Sequence, residues 1–228
     1  MTMATLARMQ HLLRSGLLFF VIQACFAISY QSDALVISHL LGAKAVTGYT
    51  VPMRLFYFAP VVQNFALLPF WPALRNALAQ GDVGWATRTF RRITAIGSGG
   101  VFAATLVLLV VGPRAISLWT GGEVSPSTGL LLALAGWAMT ASIVTPFSYL
   151  LSGAGAARFL AVTFAIMAVA NLGLSIALGH AFGVSGVVIA TITADLVCVI
   201  IPTLVYLPRL RKKLVGSPAA LAGFHNEE

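Results

Sequence analysis

"GLLFFVIQACFAISYQSDALVISHLL", residues 16–41, carries a single formal charge, Asp33. A helix rises ~1.5 Å per residue, so about 20 apolar residues cross the ~30 Å hydrocarbon core of a bilayer. The quoted run is longer than that, and it reads as a membrane span. A carboxylate at the centre of such a span costs roughly 2.5–3.5 kcal/mol on insertion scales. Asp33 therefore asks for a partner or a function.

The rest of the chain has the same character. Its 228 residues are 59% hydrophobic and only 9% charged, with a mean hydropathy of +0.93. Soluble domains carry about 25% charged residues, so too little polar surface is available here to keep the chain in water. The composition predicts an all-α, polytopic membrane protein, because only helices and closed barrels satisfy their backbone in lipid. Six spans are expected, at about 15–38, 47–70, 93–112, 127–150, 159–180 and 185–207, forming one transmembrane bundle over 15–207. Turn-forming stretches separate them: "LLGAKAVTG", "AQGDVGW", "VGPRAISLWTGGEVSPSTG", "LSGAGAAR" and "GHAFGVSG". Residues 1–14 form an N-terminal segment and 208–228 a basic tail. The basic start and apolar run also fit a signal peptide, but apolar segments continue throughout, and the first run is read as a retained span.

Charge sets the orientation. Of 14 Lys and Arg, eleven fall on one face: Arg8 and Arg14, then Arg75, Arg88, Arg91 and Arg92, then Arg158, then Arg209, Arg211, Lys212 and Lys213. Lys44 and Arg114 fall on the other, and Arg54 lies within a span. The positive-inside rule puts both termini in the cytoplasm. The net charge of +8 is accounted for by topology signals facing anionic lipid, with no nucleic acid required. Trp71 and Trp85 among the arginines of residues 69–92 suggest a segment lying at the cytoplasmic interface.

Pro60, Pro69, Pro146 and Pro202 mark kinks. The glycines of "GSGG" and "GHAFG" suit close helix packing. Cys25 and Cys198 read as core-filling side chains far from any CxxC spacing. The four histidines are scattered, and no catalytic, metal, cofactor or nucleotide motif is present. The chain reads as a non-enzyme without cofactors, and no ATP-driven pump is encoded in it.

Two polar pairs stand out inside the spans. Helix rise puts Asp33 and Arg54 at similar depth on consecutive antiparallel helices, ~8 and ~10 Å below the outer boundary. They read either as a structural ion pair or as a water-filled cavity with a basic anchor beside a titratable carboxylate. Asn171 and Asp195 fall together near mid-membrane in the last hairpin. Deep carboxylates of this kind mark proton or ion pathways, or are held neutral and hydrogen-bonded to a neighbouring helix.

"SDALVISHLLGAKAVTGYTVPMRL", "PFWPAL…GD", "LWTGGEVSP", "FSYLLSGAGAARF" and "VANLGLSIALGHAFGVSGVVIAT" follow one another in order. Together they resemble the polysaccharide flippases of the multidrug/oligosaccharidyl-lipid/polysaccharide exporter superfamily. The similarity covers residues 15–213, nearly the whole chain. Members carry twelve to fourteen helices in two parallel six-helix bundles and move lipid-linked oligosaccharides across the bacterial cytoplasmic membrane for O-antigen, capsule or exopolysaccharide assembly. This chain resembles the C-terminal bundle alone, so the resemblance implies a half-transporter completed by a second copy or a second six-helix half, or a truncated reading frame. It also implies a polyprenyl-pyrophosphate-linked substrate, with Arg54 for the phosphates and Asn171 and Asp195 along the glycan path. Asp33 or Asp195 would couple transport to protons or sodium. A cation-coupled multidrug antiporter half and a non-transporting subunit scaffolding polysaccharide assembly remain as alternatives.

Overall fold

A computed structural model describes residues 3–216 of the chain. The described residues are all helical apart from turns, with no strand. The helices are α1 (Met3–Leu41), α2 (Ala43–Leu67), α3 (Phe70–Ala79), α4 (Val83–Trp119), α5 (Thr128–Gly153) and α6 (Ala157–Ala194). A π-helical segment (Asp195–Ile200) then leads into α7 (Ile201–Gly216). Among these, four helices are long and apolar enough to cross a membrane, or five if α2 and α3, bent by 49°, count as one broken span.

The surface agrees with a lipid environment. Phe20, Leu35, Phe58, Val110, Leu118 and Val169 are 69–85% exposed. A soluble monomer rarely leaves such a coat of large apolar side chains in water. In hydrocarbon the same side chains meet a solvent of their own kind.

α5 is the central helix. Its apolar window is 67% buried against 11% for α4, which lies outside. Trp137, Leu134 and Ala138 of α5 pack with Ile37 of α1, Phe56 of α2 and Ile116 of α4 in one core cluster. A second cluster joins Leu151, Leu160, Phe164, Met167 and Val199 toward the other end. α3 folds Leu74 and Leu78 against Ala86 and Phe90 of α4.

The turns sit where the breaker residues suggested. Asp82 caps α4 by accepting from the Trp85 N–H at 2.8 Å, and Ser127 caps α5 by accepting from the Leu130 N–H at 3.2 Å. Helix ends, however, do not coincide with the expected membrane boundaries. α1 is helical from Met3 on, ahead of the stretch Gly16–Leu41 that is apolar enough to cross a membrane. α4 extends well beyond 93–112 at both ends, taking in the exposed Arg88, Arg91 and Arg92 and running through Pro113. Hydropathy marks where a helix would meet lipid, whereas arginine is itself a good helix former and lets the helix continue into water. The basic tail begins within α7, and residues 217–228 lie outside the described residues.

The decisive feature is a reversal inside α6. The helical run Ala157–Leu210 is 54 residues long, about 80 Å if straight, far more than a ~30 Å core accommodates. It is not straight. Gly183 has φ 62° and ψ −144°, a conformation other residues avoid. Thr191 lies 3.1 Å from Asn171 across 20 positions of sequence, where a straight helix would separate them by ~30 Å. The chain therefore folds back at Gly183 into two arms, 157–182 and 184–194. Gly179 and Gly186 let those arms touch: a Cβ on Gly179 would meet Leu40 and Val187, and one on Gly186 would strike the Leu178 carbonyl.

Candidate functional site

Three helical arms each present a polar pair at the i, i+4 spacing that places both residues on one face. These are Ser29 and Asp33 on α1, Asn171 and Ser175 on the first arm of α6, and Thr191 and Asp195 where the second arm enters the π segment. All six are at most 2% exposed. The reversal at Gly183 brings the second and third pairs together, and α1 packs across both.

Asp33 is the hub. The Thr191 hydroxyl lies 3.0 Å from Asp33 Oδ2 and 3.1 Å from Asn171 Oδ1. The Ser175 hydroxyl lies 3.0 Å from Asn171 Oδ1 and 3.4 Å from Asp33 Oδ1. The Asn171 amide donates to the Ser29 carbonyl at 3.1 Å, which fixes Oδ1 as the atom turned to the hydroxyls. The Ser29 hydroxyl is directed elsewhere, to the Cys25 carbonyl at 2.9 Å and the Met167 sulfur at 3.3 Å. The buried Tyr49 phenol of α2 faces Asp33 at longer range.

Proton counting gives this cluster its character. A hydroxyl carries one donor proton. Three hydroxyls, those of Ser175, Thr191 and Tyr49, thus face three acceptor oxygens, the two of Asp33 and one of Asn171. An ionised Asp33 leaves no donor proton to spare, and no cation stands beside it among the described residues. A proton on the carboxyl, or a hard cation among these oxygens, would neutralise its charge.

The expected Asp33–Arg54 pair is not formed. The buried stripe of α2 runs Tyr49, Pro52, Phe56, Pro60, Gln63 and Leu67. Arg54 sits two residues from both Pro52 and Phe56, about 200° around the helix, and is exposed. Matching depth was correct reasoning about rise, but it carried no information about rotation. Asn171 and Asp195 are likewise not partners. Asn171 belongs to the Asp33 cluster, while both carboxyl oxygens of Asp195 lack any hydrogen-bond partner.

Beside the cluster lies an aromatic cleft of about 470 Å³. Phe26 and Tyr30 of α1, Tyr57 and Asn64 of α2, and Trp137 and Tyr149 of α5 line it, and Trp71 lies at its α3 side. Tyr149 donates to Asn64 Oδ1 at 2.7 Å. The Trp137 ring stacks with Tyr57, centroids 5.9 Å apart, and meets Tyr30 edge-on at 5.8 Å. The indole N–H groups of Trp71 and Trp137 are buried without an acceptor. Among the described residues no Asp, Glu, Lys, Arg or His lines the cleft, which presents aromatic faces and neutral hydrogen-bonding groups. Trp71, expected at the membrane interface, is instead half-buried in this cleft.

The i, i+4 pairs Ser29/Asp33 and Asn171/Ser175 were visible in the sequence as polar pairs sharing a helix face. Thr191 with Asp195 carries the same spacing, but nothing in it says that this pair meets the other two. Among the described residues no group of three or more His, Cys, Asp or Glu is placed to hold a metal. No protein-family model matches the chain, and neither a curated protein nor a solved structure matches it.

Proposed function

We propose that this chain is half of a secondary-type flippase, which moves lipid-linked oligosaccharide across the bacterial cytoplasmic membrane for polysaccharide assembly. The observation that carries the reading is Asp33: a carboxyl 2% exposed in an apolar bundle, held by hydroxyl groups, with no cation among the described residues to balance its ionised form. Such a group takes up and releases a proton or small cation as its surroundings change. With the turn at Gly183 counted, the chain makes six crossings, both termini are cytoplasmic, and a second bundle, from another copy or a partner, completes the path. Asp195 serves with Asp33 in coupling, and Asn171 positions the coupling site.

The cleft supports a substrate with a neutral, hydroxyl-bearing part. Aromatic faces suit the apolar faces of sugar rings, and Asn64, Ser148 and Ser152 of the cleft lining carry groups that can hydrogen-bond hydroxyls. Arg54, on the face of α2 that the bundle leaves uncovered, is the cation available to a pyrophosphate outside the cleft. One observation favours a second reading, a cation-coupled multidrug antiporter half: among the described residues the cleft has no basic side chain to repel an organic cation.

Proteoliposomes with an imposed pH gradient separate the two. The expected result is gradient-driven movement of a polyprenyl-pyrophosphate oligosaccharide, lost in Asp33→Asn. Movement of a cationic dye instead establishes the antiporter. Movement of neither, or wild-type rates in Asp33→Asn, overturns the transport reading and leaves the scaffolding subunit.

A further inference from the structure

The outer face of the bundle carries a groove between α2 and α4 that is separate from the aromatic cleft. It measures about 590 Å³ and shares no lining residue with the cleft. On α4 its lining includes Ile96, Gly100, Ala104 and Leu108, a row at four-residue spacing, and on α2 it includes Phe58 and Val62, part of a similar row. Rows of this kind are the ridges of a helix surface. Gly100 and Ala104 lower the middle of the α4 ridge, and the exposed Phe58 and Ile96 stand at the rim. From Ile96 to Leu108 the helix rises ~18 Å, a little more than one leaflet of a ~30 Å hydrocarbon core. The groove has the length of one extended lipid chain.

Two polar features go with it. Among the described residues, Gln63 is the one polar side chain of the lining, and it is 6% exposed. Its amide donates to the Ser142 carbonyl at 2.9 Å, and the carboxamide lies against Gly97 of the groove floor. Oε1 has no hydrogen-bond partner, and a buried acceptor left in this way calls for a donor. The second feature is charge. One and two steps before Ile96 the α4 ridge carries Arg92 and Arg88, both exposed. Asp82, the one acid near this end among the described residues, already accepts from the Trp85 N–H. This end of the groove is therefore cationic.

Along α4 the order is cation, acceptor, apolar channel. Arg92 comes first, Gln63 follows at the level of Gly97, ~7.5 Å further in, and Gly100 to Leu108 come last. We propose that the groove binds an anionic lysophospholipid, a glycerophosphate with a single acyl chain. Its phosphate sits on Arg88 and Arg92, its free glycerol hydroxyl donates to Gln63 Oε1, and its chain lies along Gly100 and Ala104. A diacyl lipid lacks that donor, because its second chain esterifies the hydroxyl. A second copy of this chain is a poorer occupant. A two-fold axis along the membrane normal would set groove against groove and leave both floors unfilled. The site lies outside the aromatic cleft and does not depend on transport.

Native mass spectrometry of the detergent-purified chain, titrated with oleoyl lysophosphatidic acid, tests this. The expected result is one saturable site. It should hold the lipid about two- to tenfold more tightly than the O-methyl ether of its glycerol hydroxyl, the worth of one hydrogen bond, and more tightly than dioleoyl phosphatidic acid. Gln63→Leu should bind the hydroxyl and ether forms equally, and Gly100→Leu, which fills the groove, should lose the site. Arg92→Gln should weaken binding about fivefold, as loss of one basic group near a membrane surface does. Arg114→Gln, exposed near the other end of α4, should bind as wild type does. Equal affinity of the wild-type protein for the hydroxyl and ether forms overturns the assignment, and this arm needs no variant to fold. Preference for the diacyl lipid, or a loss in Arg114→Gln but not in Arg92→Gln, overturns it too. So does a lipid-free dimer that Gly100→Leu converts to monomer, which would put a second copy in the groove.

Discussion

Asp33 shows how little an isolated residue says until its donors are counted. In the bilayer interior an unpaired carboxylate is expensive, yet no cation stands opposite it; Arg54 points away on the far side of α2. What surrounds Asp33 is a set of oxygens sharing the hydroxyl protons of Ser175, Thr191 and Tyr49. Replacing Thr191 by Val removes one of those protons and should destabilise the protein by about 1–3 kcal/mol, the cost of leaving buried polar atoms unsatisfied. Asp33→Asn brings an amide with two donors of its own, so the double variant should recover part of that loss. Arg54→Gln is the control and should stay within about 0.5 kcal/mol of wild type, as exposed substitutions do. Thermal unfolding in detergent measures all four proteins. A double variant no better than Thr191→Val alone would show that hydrogen-bond balance does not describe the cluster.

At the scale of elements, the polar cluster depends on one turn. Thr191 reaches Asn171 only because the helical run folds back at Gly183, whose backbone has a positive φ and an extended ψ. A β-carbon there costs of order 1–3 kcal/mol, although it would meet no other atom within 4 Å. Gly183→Ala should therefore lower stability by about that amount and, by displacing the second arm, loosen the Asp33 cluster. Gly173→Ala supplies the comparison, since Gly173 also has open space around it but lacks the positive φ. Gly173→Ala should be neutral or slightly stabilising, because alanine favours helix over glycine. Equal melting temperatures for the two variants would mean that the turn does not depend on glycine. The other glycines sort by the same criterion. Gly97 of "GSGG" lies so close to the Gln63 side chain that a Cβ would come within 2.7 Å of its amide nitrogen, whereas Gly99 and Gly100 face open space.

For the molecule as a whole, the asymmetry of charge sets the expected outcome. The six-span reading puts eleven Lys and Arg on one face and two on the other, and by that reading the turn between α4 and α5 should face outward and the turn between α3 and α4 inward. In a background lacking Cys25 and Cys198, an impermeant thiol reagent applied to intact cells should label Gly122→Cys and leave Gly84→Cys untouched. Labelling of Gly84→Cys alone would reverse the orientation. The same asymmetry bears on assembly. The large apolar side chains exposed on α4, Val110 and Leu118 among them, offer a surface to lipid or to the second bundle that the transport reading requires.

Composition and local pattern determined the class of this protein. The scarcity of charge demanded helices in lipid, and Asp82, Ser127 and Gly183 announced turns because capping and positive φ are properties of single residues and their immediate neighbours. The sequence also picked out Asp33, Asn171 and Asp195 as buried polar groups, since depth along a helix follows from counting residues. It could not decide their partners. Partnership depends on how each helix is rotated about its axis and on which arms the reversal brings together. The sequence paired Asp33 with Arg54 at equal depth, but the packing of Pro52 and Phe56 into the core turned Arg54 outward. Asn171 was matched with Asp195, yet it came to rest against Ser175 and Thr191. The aromatic cleft belongs to the same class of result. Tyr30, Tyr57, Trp137 and Tyr149 come from three different helices, and only their packing makes a site of them.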